Sequence, residues 1–190
     1  MKVLKFGWTS VGTTESIKKV LKIIVNSKWN DEKILTVVSA FSWVTDSLLE
    51  IMNLVICSDA RYKEVLANIK ERHIFIAKDL VTKNQKQVIS HIKNSFKELE
   101  NILKEVVSLG QILSEKSDLI LSFGERLSAY IISQSLASNW QISHFVDARN
   151  IIITDDNFSC AWVDFSKSNQ KIKDLVSKNS WVFVITGFIG

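Results

Sequence analysis

The chain has 190 residues, 46% of them hydrophobic and 23% charged, with a formal net charge of +4. That length suits one sizeable core, or one domain with a small annex, and the composition is ordinary for a soluble globular protein. No apolar run approaches the ~18 residues of a membrane span, and Lys5 interrupts the short N-terminal apolar run, so neither a span nor a signal peptide is expected. The lysines alternate with Glu and Asp along helical segments and read as solvated faces, not as a nucleic-acid stripe. Cys57 and Cys160 stand alone without C-x-x-C spacing, which predicts reduced thiols in a cytoplasmic protein. The sequence holds six tryptophans and no proline, and several tryptophans fall where turns are expected, the mark of a drifted or altered sequence.

In chain order, Lys2–Phe6 (KVLKF) predicts a short strand. Thr13, Thr14 and Glu15 supply a cap and a first-turn acid for a helix over about 15–28, where Ile17, Val20, Leu21 and Ile24 share one face. The β-branched run Lys33–Ser39 predicts a buried strand, and a helix follows from about 44 to 57. Two long amphipathic helices are expected near 59–82 and 85–108, forming a helical hairpin inserted into or packed beside the sheet, with the insertion spanning about 59–110. His73 and His91 sit on these helices without a third ligand at metal-binding spacing, so they read as structural. A helix over about 117–139, a strand over 141–146, a helix near 168–178 and a final strand, WVFVITGFIG, restore the β/α alternation. The fold class is therefore α/β: a three-layer sandwich with a mainly parallel central sheet. The last strand runs into a glycine loop at Thr186–Gly190, where ligand loops of such sheets lie, and the chain reads as a fragment of a longer protein.

Four segments fall at strand ends or helix starts: Lys5 to Ser10, Ser39-Ala40, Thr45-Asp46 and Gly124-Glu125-Arg126. Lys5 offers a compact positive charge; Ser10, Ser39 and Thr45 offer hydroxyls; Glu125 offers a carboxylate beside a glycine read as opening its helix. This chemistry suits a phosphate or carboxylate ligand, with a polar rim that binds nothing as the alternative.

Five segments carry a resemblance: VLKFGWTSV, VVSAFSWVTDSLLEI, SFGERLSAYI, FVDAR and VITGFIG. In order and spacing, over essentially all 190 residues, they resemble the N-terminal part of the aspartate kinases of the amino-acid kinase family, closest to the kinase portion of bifunctional aspartokinase–homoserine dehydrogenases. The GVTD-like and FGERLS segments favour this branch over other carboxylate or carbamate kinases. The resemblance implies ATP-dependent phosphorylation of L-aspartate to 4-phospho-L-aspartate, with Mg²⁺ bridging the nucleotide phosphates. Lys5 would neutralise charge on the transferring phosphoryl group. Gly7, Thr9 and Ser10 would form the phosphate cradle, Ser39 would lie under phosphates and substrate, and Thr45 and Glu125 would bind aspartate, Glu125 through its α-ammonium group. Arg126 stands equally as a site residue or as a partner of nearby carboxylates. The family leaves a homo-oligomer open.

The chain also departs from that pattern. Trp8 and Trp43 stand where the family has glycine, and at Trp8 the lost glycine would have given close phosphate approach and a positive φ. The family's arginine–aspartate loop and nucleotide-base segment, expected after TGFIG, are not in these 190 residues, nor are regulatory or dehydrogenase domains. The expectation is an aspartate-binding half that is inactive alone, with a non-catalytic domain of the same fold as the alternative.

Overall fold

The computed structural model describes residues 1–27, 32–139, 143–177 and 182–187. Four strands, β1 (Lys2–Phe6), β2 (Ile34–Val38), β3 (Ser143–Val146) and β4 (Val182–Thr186), form one parallel sheet in the order β1-β2-β4-β3. The central strands ILTVV and VFVIT are continuous apolar runs because both of their faces are covered, the usual condition of parallel sheets.

Five helices cover one face: α1 (Thr14–Asn26), α2 (Val44–Ile56), α3 (Tyr62–Leu80), α4 (Gln85–Leu109) and α5 (Ser114–Asn139). The other face carries α6 (Phe165–Ser177) and a 3-10 turn at Ala148–Asn150. Period-two alternation divides the strands between these layers. Ile34, Val38, Val182 and Val184 join the large core under the five helices, while Leu35, Phe183 and Ile185 join a small one with Val146 and Leu175. The expected elements are present, including the long helical pair, with end shifts of one to three residues. Residues 141–142 of the expected strand and the 188–190 part of the glycine loop lie outside the described residues.

Local chemistry explains the helices. Thr13 caps α1 with a reciprocal pair: the Ser16 amide donates to Thr13 Oγ1 at 3.1 Å and the Thr13 amide to Ser16 Oγ at 2.9 Å. In α4 the buried residues Val88, Ile92, Phe96, Leu99, Leu103 and Val106 recur at helical spacing. Buried positions in α5 lie all around the helix, because it is enclosed by the sheet on one side and by α2, α3 and α4 on the other. Its interior serines find backbone carbonyls: Ser128 Oγ donates to Ser39 O at 2.7 Å and Ser135 Oγ to Leu80 O at 3.0 Å. Small, satisfied side chains let α5 lie close to its neighbours.

His73 is fully buried between Phe41 and Phe96, with ring centroids at 5.2 and 5.7 Å. Its Nδ1 bonds Ile69 O at 2.8 Å and its Nε2 has no hydrogen-bond partner. Burial pushes its pKa down to about 4, only partly opposed by the backbone bond. In the unfolded chain the imidazole takes up its proton near pH 6.5. Between these two values the unfolded state binds more protons, so stability falls as the pH falls. Urea unfolding between pH 7 and pH 4 should show a loss of up to about 3 kcal/mol from this group. The His73→Leu chain should have a flatter profile; an unchanged slope would remove His73 as the cause.

Candidate active-site cleft

Three strands end in line. Phe6, Val38 and Thr186 are partners across β1, β2 and β4, so Gly7, Ser39 and Gly187 follow along one edge of the sheet. The Ser39 amide donates to Phe6 O at 3.1 Å and the Gly187 amide to Val38 O at 3.0 Å, which extends the ladder one step into the loops. On the side of the five helices, this edge opens into a cleft of about 420 Å³. Ser39, Phe41, Thr45 and Asp46 wall it together with Trp8, Trp43 and Glu125.

Each loop is tied down. Ser42 Oγ donates to Trp8 O at 2.8 Å and joins the β1–α1 loop to the β2–α2 loop. Arg72 Nη2 donates to Gly12 O at 2.8 Å and anchors the first loop to α3. Helix α2 starts at Trp43 with no side-chain cap, so the amides of its first turn, where Thr45 and Asp46 lie, point out of the helix end beside the cleft.

Glu125 comes from the middle of α5, not its start. The sequence reading of Gly124 as a helix-opening residue is corrected: α5 begins ten residues earlier, at Ser114. Gly124 instead marks a close crossing, because a β-carbon there would lie 2.9 Å from Ala40 Cβ and 3.1 Å from Val44 Cγ1. The next residue, Glu125, is thereby carried to the sheet edge, where it is only 9% exposed. Its carboxylate lies against Gly187, and a β-carbon at Gly187 would collide with it.

Ser39, Thr45 and Glu125, the residues expected to hold the amino acid, thus share one cleft. Of the residues expected to hold phosphate, Ser39 lies in this cleft while Lys5, Gly7, Thr9 and Ser10 do not line it. Leu4 and Phe6 pack into the core under the five helices, so alternation places Lys5 on the opposite face, beside Val37. Lys5 is exposed and is not part of the cleft wall. Gly7, Thr9 and Ser10 form the β1–α1 turn at the rim, closed by the Ser10 amide donating to Gly7 O at 2.9 Å, and nothing lies within 4 Å of a β-carbon built on Gly7.

Arg126 is resolved in favour of pairing with carboxylates. Its guanidinium lies 3.5 Å from Asp147 and 3.7 Å from Glu98, and stacks on Phe123 at 4.4 Å. Burial pushes Asp147 up, but hydrogen bonds from Arg149 and the charges of Arg149 and Arg126 outweigh it and hold the carboxyl below its ordinary value. The two tryptophans differ. Trp43 has a left-handed backbone, φ 72°, and is 70% exposed. Trp8 is 62% exposed and does not have a positive φ.

An amino acid kinase family model matches residues 1–190. The chain belongs to the amino acid kinase family. Its relatives include the aspartokinase of Chlamydia muridarum, 32% identical over 99% of this chain and 39% of that protein. A chloroplastic bifunctional aspartokinase/homoserine dehydrogenase of Arabidopsis thaliana is 30% identical over 98% of this chain and 20% of its own length. This family member therefore spans less than half of the curated relatives it matches. Among solved structures, E. coli aspartokinase III in complex with aspartate and ADP superposes with a TM-score of 0.83 at 21% identity, covering 99% of this chain and 40% of that one. The fold is that of aspartokinases.

Sequence reasoning named Asp46 in its segment without a role, and missed Phe41 as a cleft wall and Gly187 as the clearance for Glu125. Gly187 sat inside a recognised motif, but its role depends on Glu125, 62 positions away, and has no local signal. Gly187→Ala should destabilise the chain by about 1–3 kcal/mol, because the new methyl must displace a buried carboxylate. Trp43→Gly should stabilise it by about 1 kcal/mol, since glycine adopts the left-handed helix start without strain. Chemical denaturation of both variants checks the pair; the same sign for both would contradict the geometry.

Proposed function

We propose that the cleft binds L-aspartate and that the chain is the substrate-binding part of an aspartate kinase, which makes 4-phospho-L-aspartate at the expense of ATP. The observation that carries this reading is one cleft holding a nearly buried carboxylate, Glu125, with Ser39, Thr45 and the uncapped start of α2. An α-amino acid needs such a pairing: a fixed anion for its ammonium group, and hydroxyls and amides for its carboxylates. The aspartate-bound state of E. coli aspartokinase III, a protein of the same fold, supports the choice of ligand.

In this reading Glu125 orients the substrate by its ammonium group. Ser39 and Thr45, with the first-turn amides of α2, hold the carboxylates. The reacting β-carboxylate oxygen then points to the sheet edge, where it takes the phosphoryl group and ADP leaves. The nucleotide supplies that group, and the open space over Gly7, with the exposed Lys5 beside it, suits its phosphates. Lys5 neutralises the charge shared between donor and acceptor, so positioning and charge neutralisation supply most of the rate. Among the described residues no group of three His, Cys, Asp or Glu stands together to hold a metal ion. Mg²⁺ would be held by the nucleotide phosphates and would neutralise part of their charge. Cys57 and Cys160 are exposed and unpaired, which suits a cytoplasmic enzyme. No helix of the described residues is long and apolar enough to cross a membrane.

A second reading, a domain that keeps the fold and has lost catalysis, is favoured by the indoles of Trp8 and Trp43 in the cleft wall. Calorimetric titration separates the two. The first reading expects saturable heat with L-aspartate, lost in Glu125→Gln, and no comparable heat with succinate, which lacks the ammonium group. No heat with aspartate, from a sample whose circular dichroism shows it folded, would establish the second. In a chain that turns over, Lys5→Ala should lower kcat by about 100-fold or more while leaving the aspartate KM within a few-fold, as loss of a transition-state charge does.

A further inference from the structure

A second cavity lies away from this cleft, in the groove between the first half of α3 and the last half of α4. It measures about 270 Å³. Its floor is apolar: Leu66 is buried, with Tyr62 and Ala67 beside it. Three lysines, Lys63 and Lys70 from α3 and Lys104 from α4, stand around the floor with a single carboxylate, Glu100. None of these four charged groups forms an ion pair with any described residue, although elsewhere on the same helices Lys18–Asp79 and Lys116–Glu105 do pair. The cavity therefore carries a local excess of two positive charges over an apolar base.

Helix directions separate the two sites. Helix α2 leaves the cleft at Trp43 and α3 returns beside it, so Tyr62 lies at the far end and Arg72 near the cleft, where it holds Gly12. Leu66 precedes Arg72 by six residues, about 9 Å along the helix axis.

We propose that this groove is a binding site for a small anion with an apolar body, such as one ring bearing a carboxylate or a phosphate. The chemistry of the lining selects that class. A cavity of about 150 Å³ already holds a benzene ring, so this one takes a ring and its anionic substituent. The ring covers Leu66 and Ala67, which removes apolar surface from water, and the anion meets ammonium groups that no described carboxylate pairs with, Lys63 lying over the Tyr62 ring at 5.9 Å. Neutral ligands gain only the first contribution. Dianions without an apolar body gain only the second, which exposed lysines in water make weak.

Nitrogen-15 NMR of the full chain tests this with three probes: benzoate, phenyl phosphate and neutral benzyl alcohol. Saturable shifts should appear at the amides of residues 62–70 and 100–104 for at least one anion, with Kd of about 1 mM or tighter. Benzyl alcohol should bind at least about tenfold more weakly, and the ratio of the two anions identifies carboxylate or phosphate as the preferred head group. Lys70→Glu with Lys104→Glu should weaken binding of the anion by about tenfold or more. Ala67→Trp, at an exposed position, should fill the groove and abolish binding even if the charge-reversed chain fails to fold. Equal binding of the neutral probe, shifts outside these residues only, or indifference to Ala67→Trp would each overturn the proposal.

Discussion

The structure depends on how closely α5 crosses the start of α2. At Gly124 the two elements approach so nearly that a single added carbon would contact both Ala40 and Val44. Interior serines that bond backbone carbonyls sustain the approach along the helix, with Ser128 holding the carbonyl of Ser39 itself. A larger residue at either place would lift α5 from the sheet and withdraw Glu125 from its edge. Glu125 in turn needs clearance from the other side, which Gly187 supplies at the end of β4. Burying a carboxylate costs free energy unless polar partners or a cationic ligand compensate it. A nearly buried carboxylate at a sheet edge is a candidate functional group, and the proposed ligand would meet it there.

Much of this was legible because parallel sheets and amphipathic helices leave strong periodic signals. The runs ILTVV and VFVIT read as strands from their β-branched, apolar composition, and the long apolar stripes placed α3 and α4 to within three residues. The sequence offered candidates for a site but not their geometry. Glu125, expected to bind the amino acid from a helix start, lies in the cleft wall but in mid-helix, because glycine followed by Glu resembles a helix opening when the crossing partner is unseen. Lys5 was grouped with Ser39 by sequence motif, yet period-two alternation sets the side chains of Lys5 and Phe6 on opposite faces. The buried Leu4 and Phe6 contained that information. Arg126 could not be decided from sequence, since its partners Glu98 and Asp147 lie 28 and 21 positions away.

The tryptophans belong to the same account. Trp43 opens α2 in a left-handed conformation that glycine adopts freely and an L-residue adopts under strain. The surrounding loop has kept the glycine geometry and turned the indole outward, where it is 70% exposed. Trp8 needs no such backbone, so any effect there is steric, from an indole standing at the rim of the cleft. The two substitutions thus affect different things: one strains the backbone at a helix start, the other narrows an entrance.

The division of charged groups across the sheet edge gives the proposed chemistry its direction. The acidic groups, Asp46 and Glu125, wall the cleft on the side of the five helices, while Lys5 stands on the opposite face of β1. A substrate held by its ammonium group on the first side must present its far carboxylate to the edge. A phosphoryl donor neutralised by Lys5 must approach from the second side, where Val3 and Lys5 are exposed and α6 covers only the strands further along. The edge at Gly7, Ser39 and Gly187 is then the one line that both reach, and all three positions carry small residues. Bulk anywhere on that line would separate the reactants by more than the ~3–3.5 Å that an in-line transfer tolerates. In the proposed reading, the small residues at the strand ends and the split of charge between the faces serve a single requirement, that donor and acceptor meet across the end of a parallel sheet.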